Sequence, residues 1–378
     1  MSQRDPWLLT PGPLTTSASV KAAMTRDLGS RDATFIAINR RMRERLVEMA
    51  GGVGTHVCVP VQGSGTFAVE AMIGTLVPKT GKLLILINGA YGKRAAKICD
   101  YMGRAHADIE WAEDQAVDPA RAASAIGNDA AITHVFVVHC ETTSGVLNPI
   151  ERVGEVVAAA GRRLLVDSMS AFGALPLSAE TVAFDAVAAS SNKCIEGVPG
   201  VGFVLCRRTA LETAKGNAHS LSLDLHEQWT AMETTAQWRF TPPIQVIAAF
   251  DQALREHEEE GGVAGRGARY RNNCRLLVDG MRALGFETLL PDHLQAPIIV
   301  TFRMPADPKF RFEAFYDRLR EKGYVIYPGK LTVADSFRIG CIGRLGKPEM
   351  RGAIEAIKST MDELGVASGA PAALKQSA

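Results

Sequence analysis

Short, unbroken apolar runs rich in valine and isoleucine alternate through the first half of the chain with stretches of helical periodicity. The runs Val57–Val61, Leu83–Ile87, Val135–His139, Leu164–Asp167, Ala186–Ala189 and Phe203–Cys206 predict strands. Phe67–Val77, Lys93–Met102 and Arg152–Ala160 predict helices between them. Strands that are continuously apolar, rather than alternating, belong to a sheet covered on both faces. Strands alternating with helices predict a mostly parallel α/β sheet. The pattern changes after about Pro242. Helical stretches follow, including Ile247–Leu254 and Tyr270–Leu284, then a strand at Pro297–Phe302 and a helix at Phe310–Lys322. Strands at Tyr324–Tyr327 and Phe337–Cys341 and a last helix from Pro348 to Leu364 complete a separate α+β unit. The charged run Arg255–Glu260 reads as a solvated helix end, and the small, polar residues after Leu364 as a frayed tail.

Composition removes alternatives more than it adds detail. Lysine plus arginine number 42 and aspartate plus glutamate 41, a formal net charge of +1, so no overall field favours nucleic acid or an anionic membrane. With 47% hydrophobic residues the chain is too apolar for a disordered protein. The opening MSQRDPWLLTPGPL lacks the apolar core of a secretory signal, and the densest apolar run, Leu83–Ile87, is too short to span a bilayer. Seven widely spaced cysteines without a C-x-x-C pair predict reduced thiols, no metal site and a cytoplasmic protein.

Five segments could carry chemistry. Gly63-Ser64-Gly65-Thr66 follows a strand and opens a helix, where free amides and the helix dipole favour an anion such as phosphate. It could equally be a plain glycine turn, since it lacks both the P-loop and the dinucleotide spacing. Asp167 ends a buried strand, the edge where open α/β sheets bind ligands, or else caps the next turn. Lys193 follows an apolar strand among small residues; desolvation there would lower its pKa and free the amine as a nucleophile. An exposed loop lysine is the alternative. The hydroxyls of Thr142, Thr143 and Ser144 stand at another strand end. Arg338 lies inside a short apolar strand, where it must pair with an acid or bind an anionic ligand through its fork. Their order matches what pyridoxal phosphate demands: an anion cradle, an acid for the ring nitrogen, a lysine for the aldehyde and an arginine for the substrate's acid group.

At these residues the sequence resembles the class V aminotransferases of fold type I over nearly its whole length. The resemblance rests on Leu9-Thr10-Pro11-Gly12-Pro13, Gly63–Thr66, Asn88-Gly89-Ala90-Tyr91-Gly92, Thr142, Asp167, Lys193, Thr241 and Arg338. Within that family it is most similar to the branch acting on 2-aminoethylphosphonate and pyruvate, through Gln62–Thr66, Ser191–Gly200, Ser220–Leu225, Trp238–Thr241 and Tyr327–Lys330. Alanine–glyoxylate or serine–glyoxylate exchange is the alternative within the family. A lyase or desulfurase on the same fold, the latter needing a mobile-loop cysteine, and a non-enzymatic α/β binding module are the other readings.

The resemblance implies a large domain with a mostly parallel seven-stranded sheet (16–245), a smaller C-terminal α+β domain (246–368), an N-terminal arm (1–15) and a tail (369–378). It implies pyridoxal 5'-phosphate joined to Lys193, which also shuttles the proton, with Asp167 on the ring nitrogen. Ser64, Gly65 and Thr66 would form the phosphate cup, Tyr91 and Met169 would pack on the two ring faces, Thr142 would meet the ring oxygen, and Asn192 would adjoin the cofactor. Thr241 would reach the phosphate bound by the other subunit, hence a homodimer with shared active sites. Arg338 would hold the substrate's acid group, with Arg31 or backbone near Gly12 supplying further donors to a phosphonate.

Overall fold

The computed structural model describes residues 5–331 and 334–372. Seven strands, His56–Gln62, Lys82–Ile87, Ala105–Glu110, Ile132–Val138, Arg163–Asp167, Phe184–Ser190 and Val201–Arg207, form the main sheet. In space they run 56–62, 201–207, 184–190, 163–167, 132–138, 82–87 and 105–110. Strand 201–207 runs against the direction of the other six. Successive side chains of a strand point to opposite faces. Leu84 and Leu86 therefore enter one core with Val135, Val137, Leu164 and Val166, whereas Leu83, Ile85 and Ile87 enter the other with Phe136, Val138 and Leu165. Both faces are covered, which is why these strands are apolar without alternation.

Two elements of this layer escape the periodicity. Ala105–Glu110 is the edge strand, exposed along much of its length and carrying His106 and Asp108; polar edges of this kind discourage pairing with another chain. The helix Ala33–Met49 buries a single stripe, Phe35, Asn39, Met42 and Leu46.

The C-terminal segment builds its own core. The antiparallel strands 299–303, 336–340 and 327–328 carry Phe302 and Phe337, stacked with ring centroids 5.7 Å apart. The helices Phe312–Glu321 and Lys347–Leu364 contribute Phe315, Met350 and Ile357 to the same cluster. The single strand expected at Tyr324–Tyr327 is two. Tyr324–Val325 pairs in parallel with Trp7–Leu8, and Tyr327–Pro328 pairs with 336–340, with fully buried Ile326 between them. The N-terminal arm thus docks on the C-terminal unit, with Leu9 inside its core.

The tail is likewise not free where it is described. Val366 is buried, Gly369 N donates to Leu284 O at 2.9 Å, and Ala306 N donates to Ala370 O at 2.8 Å. Satisfying these backbone groups holds the segment down to Pro371, which bridges to Pro305. Residues 1–4 of the arm and 373–378 of the tail lie outside the described residues. The run Arg255–Glu260 also departs from a purely solvated end: His257 is buried and Glu260 pairs with Arg266 and Arg269. No helix among the described residues is long and apolar enough to cross a membrane.

Candidate active site

The carboxyl ends of the parallel strands converge on one cavity of about 190 Å³. Strand His56–Gln62 runs into Gly63-Ser64, and Ser64 caps the helix Gly65–Leu76 without a side-chain bond. First-turn amides of a helix lack intrahelical partners, so this end presents donors to an anion. Gly65 leaves room for the Met169 thioether, which a Cβ there would force to move. Strand Arg163–Asp167 delivers Asp167, whose Oδ1 accepts from Met169 N at 2.9 Å. Strand Phe184–Ser190 leads directly to Asn192 and Lys193. Ser64, Gly65, Thr66, Tyr91, Thr142, Asp167, Met169, Asn192 and Lys193 all line the cavity.

Lys193 is held from the N-terminal arm. Its Nζ donates to Pro11 O at 2.9 Å. Gly12 has φ +126°, and a Cβ on it would stand 2.5 Å from that nitrogen, so only glycine lets the arm pass here. Burial pushes the Lys193 amine down to about 8. Burial also pushes Asp167 up to about 6, opposed by the Met169 amide and by the charges of Arg94 and Lys193. The carboxylate is still mostly ionised at neutral pH.

Arg338 stands behind one wall. It is 1% exposed, and it donates Nη1 to Thr142 O at 2.9 Å and Nε to Pro328 O at 3.1 Å, whereas Nη2 is buried with no partner among the described residues. Thr142 Oγ1 donates in turn to Tyr91 OH at 3.3 Å, so the arginine is coupled to the cavity wall. Ser190 Oγ, on the cavity, is also buried and unpartnered. Unpaired buried groups of this kind are costly unless a ligand satisfies them.

Two expected residues lie elsewhere. Thr241 is exposed and lines a neighbouring groove with Phe67 and Phe240. Arg31 is exposed in the turn before Ala33–Met49 and does not line the cavity.

Two residues beyond the sequence reading do belong to the site. Arg94 lines the cavity, stacks 4.8 Å from the Tyr91 ring centroid and donates Nη1 to Thr66 Oγ1 at 3.1 Å. Its spacing of three from Tyr91 on a helix was the available signal. Glu141 is fully buried and pushed up to about 7 by that burial; Oε1 accepts from Thr143 N and Oγ1, and Oε2 from Tyr91 N. It pins the start of the helix that carries Tyr91 and Arg94.

Cys341 is fully buried, its amide bonded to Ile298 O, and so offers no mobile thiol. Among the described residues no group of three or more histidines, cysteines or acids is placed to hold a metal ion.

The model of the family described as Aminotransferase class-V matches residues 15–330. A 2-aminoethylphosphonate–pyruvate transaminase 2 of Burkholderia lata is 54% identical over 361 residues, covering 96% of this chain and 96% of that protein. A 2-aminoethylphosphonate–pyruvate transaminase of Rhizobium meliloti is 54% identical over 371 residues, covering 98% and 97%. The crystal structure of pyridoxamine–pyruvate aminotransferase from Mesorhizobium loti superposes with a TM-score of 0.88 at 25% identity, covering 98% of this chain and 96% of that one.

Proposed function

Because the chain belongs to the class-V aminotransferases, we propose that it transfers the amine of 2-aminoethylphosphonate to pyruvate, giving phosphonoacetaldehyde and L-alanine. The observation that carries this reading is the buried Arg338, which bonds Thr142, on the wall of the Lys193 cavity, through Nη1 and leaves Nη2 without a partner among the described residues. A guanidinium fork matches a phosphonate and a carboxylate alike, so one arginine serves both the donor and the acceptor.

The residues present fit pyridoxal phosphate. Ser64, Gly65, Thr66 and Arg94 provide donors and charge for its phosphate, Tyr91 and Met169 flank the space for its ring, Thr142 and Asn192 supply polar contacts, and the unpartnered Ser190 hydroxyl awaits one. When bound, the cofactor supplies an aldehyde for the amine and a ring that spreads negative charge away from the reacting carbon. Asp167 would keep the ring nitrogen protonated. Lys193, whose amine lies at the cavity wall, would take a proton from the methylene beside the donor amine, hold it on Nζ and give it back to complete the transfer. The process then reverses with pyruvate, so the two substrates use one site in turn and ping-pong kinetics follow.

Adding 2-aminoethylphosphonate to the holoenzyme without pyruvate should convert the visible absorbance of the bound cofactor to that of its aminated form. A cofactor aminated rapidly by alanine but not by 2-aminoethylphosphonate overturns the assignment in favour of alanine–glyoxylate exchange. In the Arg338→Lys variant the fork is lost, and KM for both 2-aminoethylphosphonate and alanine should rise roughly 10- to 100-fold, the range for one charged hydrogen-bonding contact; steady-state kinetics in both directions check this. Arg94→Ala should weaken pyridoxal phosphate binding about tenfold while leaving pyridoxal, which has no phosphate, unaffected in the same absorbance titration.

The shared-site homodimer belongs to the same proposal. Phe67, Leu221 and Phe240 are 48%, 71% and 49% exposed around the segment bearing Thr241, and exposed apolar clusters of this kind mark interfaces. A second copy would cover them and bring its own Thr241 to the phosphate end of the cavity; sedimentation equilibrium tests the stoichiometry. The cytoplasm is the compartment proposed, supported by seven buried, unpaired cysteines.

A further inference from the structure

Beneath the lysine loop lies a buried charged cluster that the reaction as described does not use. Glu196, three residues after Lys193, is 3% exposed and has φ 63°, a left-handed backbone that non-glycine residues rarely adopt. Its amide donates to Lys193 O at 2.8 Å, and Gly197 N donates to Ser191 O at 2.8 Å, closing a tight turn around the lysine. Glu196 Oε1 accepts from Arg269 Nη2 at 2.8 Å and from Tyr270 OH at 2.5 Å. Arg266, fully buried, donates Nη1 to Cys194 O at 2.5 Å and Nε to Glu260 Oε2 at 2.7 Å.

The same side chains reach the other way. Arg269 Nη1 donates to Gly343 O at 2.6 Å and Leu345 O at 2.8 Å, and Tyr270 OH accepts from Gly343 N at 3.2 Å. Gly343 and Leu345 follow the strand Ser336–Gly340, which carries Arg338. The cluster therefore bonds both the loop of the proton-moving lysine and the segment after the substrate arginine. Replacing buried ion clusters by apolar groups is often neutral or stabilising, so stability alone does not account for one placed here. Backbone strain persists where its surroundings over-determine it, and functional sites are where it collects.

We infer that Glu196, Arg269 and Tyr270 are positioning residues, which fix the main chain of Lys193 and lock it to the segment following Arg338, so that the base and the anion receptor keep one relative placement through both half-reactions. The chemistry in this inference rests on the transaminase reading; the contacts do not.

The test uses the holoenzyme with Glu196→Gln, which keeps size, and Tyr270→Phe, which removes one hydroxyl. Ile126→Ala, in the core of the large sheet, serves as a destabilised control. The first readout is the pH midpoint of the bound cofactor's visible absorbance, which reports on its link to Lys193. Asp167, Arg94, Lys330 and Cys194, the other charged or titratable groups that influence Lys193, are unchanged in both variants. The second is kcat against KM for 2-aminoethylphosphonate. A shifted midpoint and a kcat reduced roughly 10- to 100-fold, the cost of misplacing a reacting group by about 1 Å, with KM nearly constant, support the inference. Variants that melt earlier, as Ile126→Ala does, but keep the wild-type midpoint and kcat overturn it. If Glu196→Gln does not accumulate as folded holoenzyme, Tyr270→Phe decides alone. Wild-type holoenzyme whose absorbance ignores 2-aminoethylphosphonate would overturn the proposed activity instead, because the midpoint is measured without substrate.

Discussion

A Lys193→Ala holoenzyme should aminate its cofactor from 2-aminoethylphosphonate toward the upper end of roughly 10²- to 10⁴-fold more slowly than wild type, the range for a positioned acid–base group. Rapid-mixing absorbance in the first half-reaction measures this directly, and a small primary amine added to the buffer should restore part of the rate. A rate within tenfold of wild type would remove Lys193 from the chemistry. The expectation follows from the surroundings of Nζ, which lies at the cavity wall, bonded to Pro11 O at 2.9 Å and covered by Gly12. Burial lowers the amine to about 8, so in the cofactor-free chain it is neutral and reactive from mildly alkaline pH. Amine-selective labelling at Lys193 should therefore rise through pH 8, below the range of exposed lysines. The linkage has a definite sign. Between about 8 and the unfolded-state value near 10.4, the unfolded chain binds a proton that the folded chain does not. The stability of the cofactor-free protein relative to Lys193→Ala should thus rise with pH across that window.

Asp167→Asn should cost roughly 10²- to 10³-fold in the same half-reaction, as for loss of one preorganised electrostatic contact, with little change in melting temperature. Asparagine matches the shape of aspartate and can still accept from the Met169 amide through Oδ1, the bond seen at 2.9 Å. What it removes is a charge at a position only 6% exposed, where a nearby ring nitrogen would feel it with little screening by water. Preserved folding with a reduced rate is the expected pair of results; a melting temperature that falls in step with the rate would assign Asp167 a structural role.

The sheet was legible because its strands are buried on both faces, so that runs such as Leu83–Ile87 stand out without any alternation. The edge strand Ala105–Glu110 was not, because half its positions meet water and carry polar residues. In Ala33–Met49 the buried stripe is diluted by Arg40, Arg41, Arg43, Glu44 and Arg45, of which Arg40 and Glu44 are exposed and the other three are half-buried and pair with acids. Asp167 and Lys193 could be read as candidates because each directly follows or ends an apolar strand, a property of local sequence. The contacts of Arg338 with Thr142, of Arg94 with Thr66 and of Glu141 with Tyr91 join residues remote in sequence, and only the folded sheet brings them together. The polar run Arg255–Glu260 shows the same limit: its composition reveals a helix end, but not that Glu260 turns back onto Arg266 and Arg269.

The docking of the N-terminal arm sets an order of events during synthesis. Trp7 and Leu8 pair as a strand with Tyr324 and Val325, and Leu9 packs in the core formed by residues from Cys274 onward. The arm can therefore settle only after the chain through Val325 has been made, although Pro11 and Gly12 cover a lysine made far earlier, Lys193. A nascent chain can assemble the main sheet well before it owns a finished reaction chamber. A change in the arm that weakens its docking would accordingly leave the sheet intact and disturb the lysine.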